Sequence, residues 1–202
     1  MLAMLLICKY RRDAGPQQAG SYKSDGTPTS SGSPHKQDVM STITYYLDMQ
    51  HPEQILGKPL PGDLSVVECR HKQFQLNRFL YQLVGEPWAW TDKLGWSDTQ
   101  WRELVEQADH RTWVAYHQGA IAGYYELLRD AEGAVEILYF GLAAAFLGRG
   151  FGGPLLTHAL QCAWAWPGTT RVWVHTCSLD HPSALANYQA RGLQIYREEV
   201  TP

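Results

Sequence analysis

From residue 42 onward the apolar positions either alternate or recur every three to four residues, and the two periods mark out strands and helices in turn. Residues 42–48 are β-branched and aromatic and predict a strand; a linker punctuated by Pro and Gly then leads to Gly62. Residues 64–69 predict a short strand. Phe74, Asn77, Leu80, Tyr81 and Val84 share one helical face, so a helix is expected over 74–84, stopped by Gly85, Glu86 and Pro87. Ser97 and Gln100 have the spacing of a capping box, which opens a second helix running to about residue 107.

Residues 111–117, 120–128 and 134–142 predict three strands joined by tight turns, an antiparallel meander. After a glycine-rich stretch, 154–166 predicts a helix with Pro154 in the first turn, where no backbone N–H is needed. A strand over 171–176, a helix over 182–191 ended by Gly192, and a strand over 193–198 complete the pattern. The fold class is therefore α/β with a mixed sheet: a meander followed by β-α-β-α-β.

Composition narrows this to one domain, because 202 residues with 45% hydrophobic content suffice for one core. Residues 13–39 are rich in Gly, Ser, Pro, Thr and Gln and contain one aromatic, Tyr22, too little apolar surface to offset the entropy of ordering. The expected division is a disordered leader at 1–39, a strand and linker at 40–62, and the main domain at 63–202. Met40 makes either an upstream leader or a later true start compatible with this division. The apolar run at residues 1–8 precedes its positive charges, the reverse of a secretory signal, and is shorter than the ~20 residues of a membrane span. A cytoplasmic protein without a membrane partner is expected. Cys8, Cys69, Cys162 and Cys177 form no C-x-x-C pair, and the eight histidines show no H-x-x-x-H spacing, so reduced thiols and no metal are expected. A net charge of -3 makes nucleic acid a poor partner and a small molecule a better one.

The chemistry concentrates after residue 142. Gly148, Gly150, Gly152 and Gly153 let the backbone turn its N–H groups toward a ligand, and the following helix adds its positive end and Arg149 a full charge. That is a site for an anion such as a pyrophosphate. Gly148, Gly150 and Gly153 also satisfy the G-x-G-x-x-G dinucleotide fingerprint, but the preceding strands form a meander and the next strand ends in His175 and Thr176, not an acidic residue.

Leu147-Gly148-Arg149-Gly150-Phe151-Gly152 resembles the Q/R-x-x-G-x-G/A loop of the GNAT superfamily of N-acetyltransferases, with Leu147 in place of the usual polar residue. His181 through Leu193, with Tyr188 ahead of Gly192, looks like that family's second motif, where asparagine often stands at the His181 position. The resemblance covers residue 64 to the end. It implies a sheet splayed near its centre and acetyl-coenzyme A as co-substrate, held by Leu142, Ala143, Ala144, Leu147, Gly148, Arg149, Gly150, Phe151, Gly152, Gly153 and His181. It also implies a seventh strand after the sixth, before which this chain ends; residues 42–48 or the partner subunit of a homodimer would fill that place.

The resemblance further implies direct attack of an amine, from a small molecule or a peptide, on the thioester. Backbone N–H groups near Gly141, Leu142 and Ala143 would hold the carbonyl at a bulge, and Tyr188 would protonate the thiolate. Glu136, in an apolar strand, is the first candidate for the base, and Glu126 and His175 are reserves. The acceptor would lie against Trp88, Trp90 and Asp92, in an unusually aromatic loop, and beside Glu126. A non-catalytic acyl-coenzyme A-binding module on the same fold needs the loop but neither Tyr188 nor a base.

Overall fold

The computed structural model of the chain describes residues 41–88 and 90–201. The expected disordered leader lies outside the described residues. Seven strands, β1 (Thr42–Met49), β2 (Leu64–Glu68), β3 (His110–His117), β4 (Ala120–Arg129), β5 (Ala134–Leu142), β6 (Arg171–Cys177) and β7 (Gln194–Thr201), form one sheet in the order β2-β3-β4-β5-β6-β1-β7. Every neighbouring pair is antiparallel except β5 and β6. The helices are α1 (Phe74–Gly85), α2 (Asp98–Val105), α3 (Gly152–Trp164) and α4 (Ala184–Ala190).

Helices cover both faces, which is why β4 is buried along most of its length and lacks a solvent-facing polar row. On one face Phe74, Leu80, Tyr81 and Val84 of α1 and Trp101 and Val105 of α2 pack on Val114, Tyr124 and Tyr139. On the other, Leu155, Leu156, Ala159 and Leu160 of α3 pack on Tyr125, Leu127, Val135 and Ile137. Alternation along β4 thus sends the adjacent, fully buried Tyr124 and Tyr125 to opposite cores.

The α2 cap is the expected box: Ser97 Oγ accepts from the Gln100 N–H at 3.3 Å, and Gln100 Oε1 accepts from the Ser97 N–H at 3.0 Å. The helix is shorter than expected, ending at Val105, after which the chain turns into β3. α3 begins at Gly152, two residues ahead of the expected start, because glycine and a first-turn proline can both take helical geometry before the first intrahelical bond, Leu155 N–H to Phe151 C=O.

The place beside β6 is taken by a strand from the N-terminal side. β1 lies between β6 and β7 and pairs with both, Tyr46 facing His175 on one side and Arg197 on the other. An ion pair between Arg171 Nε and Asp48 Oδ2, at 2.8 Å, spans the β1–β6 junction.

Candidate active site

β5 and β6 pair only from Ala134↔Arg171 to Glu136↔Trp173, and then part. Their separation opens a cleft of about 550 Å³, walled by residues 137–142 of β5 and 174–177 of β6 and closed at one end by the glycine loop and α4. The bulge was expected near Gly141, Leu142 and Ala143; it lies earlier, at Leu138, where Glu126↔Tyr139 is followed by Leu127↔Ile137. An extra residue there increases local twist and turns the edge of β5 away from β6. The Ala143 N–H is not free to hold a carbonyl, because it donates to Ala122 C=O at 3.0 Å.

At the loop end, Gly148 and Gly150 adopt φ of 75° and 82°, a left-handed geometry that any side chain would strain. The N–H groups of Gly152 and Gly153 open α3 before its hydrogen-bond ladder begins, and Phe151 supplies no side-chain cap. Leu142, Leu147, Gly148, Gly150, Gly152, Gly153 and His181 all line the cleft. Ala143, Ala144, Arg149 and Phe151 do not. Phe151 is buried against Phe146 and His117 and anchors the loop to the core. The Arg149 guanidinium is exposed and lies 5.0 Å from the Phe146 ring centroid, so the charge assigned to it is not part of the cleft wall.

Two cationic residues that sequence reasoning missed stand at this end instead. Lys58, from the β1–β2 linker, and Arg191, just after α4, line the cleft beside Gly153. Their local sequences carry no phosphate signal; tertiary contacts bring them there, with the Leu56 N–H donating to Arg191 C=O at 3.1 Å and the Lys58 N–H to Thr157 Oγ1 at 3.0 Å.

Tyr188 is buried and lines the cleft, its ring edge-on to Phe140 at 6.1 Å. Burial, helped by the charge of Asp180, pushes its phenol well above the ordinary tyrosine range, so it remains a proton donor at neutral pH. Glu136 is 2% exposed and sits behind His175, which lines the cleft; Glu136 Oε1 lies 3.4 Å from His175 Nδ1. Neither Glu136 oxygen nor His175 Nδ1 has a hydrogen-bond partner among the described residues. Burying polar atoms without partners is costly, so the pair stands out among the buried groups of the sheet.

Trp88 and Trp90, expected against the acceptor, line the cleft together with Val84, Leu138 and Tyr139. Trp88 packs on His181 at 4.8 Å between ring centroids, and Trp90 on Tyr81 and Tyr139 at 5.6 and 5.4 Å. Gly85 makes room for Trp90, since a Cβ there would meet its ring at 2.6 Å. Asp92 and Glu126 are not brought into the cleft. Asp92 Oδ1 accepts from Tyr81 Oη and Oδ2 binds Lys93 Nζ at 2.7 Å, while the ammonium lies over the Trp96 and Tyr139 rings. The chain's own lysine thus fills the place an acceptor ammonium was expected to take. Glu126 is wholly buried in a closed network with Asn77 Nδ2 at 2.8 Å and His110 Nε2 at 2.7 Å.

Among the described residues no group of three His, Cys, Asp or Glu side chains could hold a metal ion, and no helix is long and apolar enough to cross a membrane.

A strand pair parted over a cleft, with glycine-loop N–H groups at one end and a tyrosine and a carboxylate–imidazole pair further in, is the framework of an acyl-transfer site. Residues 77–193 match the model of the acetyltransferase (GNAT) family, and the chain belongs to that family. A search of curated proteins gave no match. Among solved structures, a GCN5-related N-acetyltransferase from Kribbella flavida shares the fold at 16% identity and a TM-score of 0.59, over 78% of this chain and 56% of that one. Two aminoglycoside acetyltransferases, each from an uncultured soil metagenomic sample, share it as well. One has 20% identity and a TM-score of 0.54 over 69% of this chain and 95% of that one; the other has 17% and 0.53 over 64% and 87%. The chain spans little more than half the length of the Kribbella flavida protein.

Proposed function

We propose that the chain transfers an acetyl group from acetyl-coenzyme A to a primary amine by direct attack. The observation that carries this reading is the continuity of one cleft from the open N–H groups of Gly152 and Gly153 to Tyr188 and the Glu136–His175 pair. The loop and α3 are suited to the pyrophosphate, and the β5 edge beyond Ile137, unpaired toward β6, offers main-chain donors and acceptors to the pantetheine amides. Trp88 and Trp90 flank the acceptor.

The amine nitrogen forms a bond to the thioester carbonyl carbon and the carbon–sulfur bond breaks. His175 receives the ammonium proton and shares it with Glu136 behind it, while Tyr188 protonates the departing sulfur and is restored from solvent. No metal enters this scheme. Assaying thiol release from acetyl-coenzyme A against a panel of primary amines tests the reading. Release that depends on amine supports it; tight binding without release from any amine favours the non-catalytic module.

A further inference from the structure

Arg191 is 7% exposed, yet it has no carboxylate partner, and its Nη1 has no hydrogen-bond partner among the described residues. A guanidinium keeps its charge at any ordinary pH, and burying it unpaired is strongly unfavourable, so a site that retains it expects an anion. One edge is anchored, with Nε donating to Ala190 C=O at 2.7 Å. The other points at the start of α3: a Cβ built on Gly153 would lie 2.7 Å from Arg191 Nη1 and 3.2 Å from Lys58 Cδ. Glycine at 153 thus lets both cationic side chains come close against the start of α3. α3 is 13 residues long, so its N–H groups and dipole act on the same point.

The linker is built into this end of the cleft. Gly192 has φ of 102°, and any side chain there would collide with Gln54 C=O, so residues 54–58 pass directly over the end of α4 before reaching α3.

Resting on the acetyl-coenzyme A reading above, we propose that Arg191, with Lys58, forms a second, side-chain grip on the diphosphate of the co-substrate, opposite the glycine-loop N–H groups. Lys58 lies ahead of the segment that matches the family model, so the strand and linker before that segment contribute to the site as well as to the sheet. Lys58 is exposed and acts as a screened charge, whereas Arg191 is desolvated and carries most of the effect.

The test is calorimetric titration of the full chain with coenzyme A, dephospho-coenzyme A and pantetheine. Arg191→Gln should weaken coenzyme A and dephospho-coenzyme A about tenfold or more, to the same extent, and change pantetheine less than about twofold. Lys58→Glu, at an exposed position where folding is undisturbed, should weaken both phosphate-bearing ligands about threefold or more at low salt and less at high salt. Either variant leaving coenzyme A within twofold of wild type overturns the proposal. So does an equal loss for pantetheine, which signifies packing, or a loss confined to coenzyme A, which signifies the 3′-phosphate. Wild-type protein that binds pantetheine as tightly as coenzyme A overturns the acetyl-coenzyme A reading itself.

Discussion

Glu136 and His175 stand 3.4 Å apart just where β5 and β6 cease to pair, with the imidazole facing the cleft and the carboxylate behind it. The placement follows from the splay: Glu136 is the last β5 residue registered with β6, so its side chain meets β6 while the main chain beyond it is released.

Glu136→Gln keeps the shape and removes the charge behind His175, so the fold should persist while kcat falls about 10²–10³-fold, because the imidazole that receives the proton loses the carboxylate that shares it. The acidic limb of the pH–rate profile, which reports the ionised base, should flatten or move. An unchanged limb would separate Glu136 from the group that takes the proton. Because burial raises the Tyr188 phenol, no alkaline limb from that residue is expected below about pH 10, the ordinary tyrosine value.

Asp92→Asn should be destabilising without being a substrate-binding lesion. Lys93 and Asp92 side chains are 8% and 3% exposed, and removing the carboxylate strands a buried ammonium. Breaking such a pair costs on the order of 3 kcal/mol, read as a lowered denaturation midpoint. The acceptor KM should change less than about threefold in protein that remains folded. A large KM rise with unchanged stability would place Asp92 in the acceptor site after all.

Stability should fall on mild acidification through His158. Its Nδ1 and Tyr125 Oη share a hydrogen bond of 2.8 Å, and burial lowers its pKa below the ordinary 6.5. The unfolded chain therefore takes up this proton before the folded one does. The contribution is complete above about pH 6.5 and is lost as pH falls from there through the lowered folded value. Comparing melting temperatures of wild type and His158→Gln between pH 7.5 and 5 checks this. The variant should show a shallower decline, and parallel curves would remove His158 from the account.

Much of the fold was legible because its signals are local. The i, i+3, i+4 pattern from Phe74 to Val84, the Ser97–Gln100 box and the turn residues of the meander each specify their element within a few residues. That the glycine loop and Tyr188 meet at one cleft was equally legible, since main-chain geometry and one helix face decide where they point. Legibility failed where partners come from distant segments. Asp92 looks available until Tyr81 and Lys93 occupy both its oxygens, and Arg149 looks like the loop's charge until it is found on Phe146. Lys58 and Arg191 lie 133 positions apart in sequence and meet only because β1 is inserted between β6 and β7, which brings the linker across α4. The β5 bulge was displaced for a similar reason: the register of β4, not the composition near Gly141, places the extra residue at Leu138.

The most direct test of the account is the effect of Tyr188→Phe on turnover and on cofactor affinity, measured side by side with an amine acceptor that wild type acetylates. The substitution keeps the ring and its packing against Phe140, so folding and grip should survive while the sulfur loses its proton donor. kcat should fall about 10²–10⁴-fold, with the Kd for acetyl-coenzyme A changed by less than roughly threefold. Near-normal kcat, with the chemical step shown to limit turnover, would contradict the assignment of Tyr188 as the acid and with it the catalytic reading of this cleft.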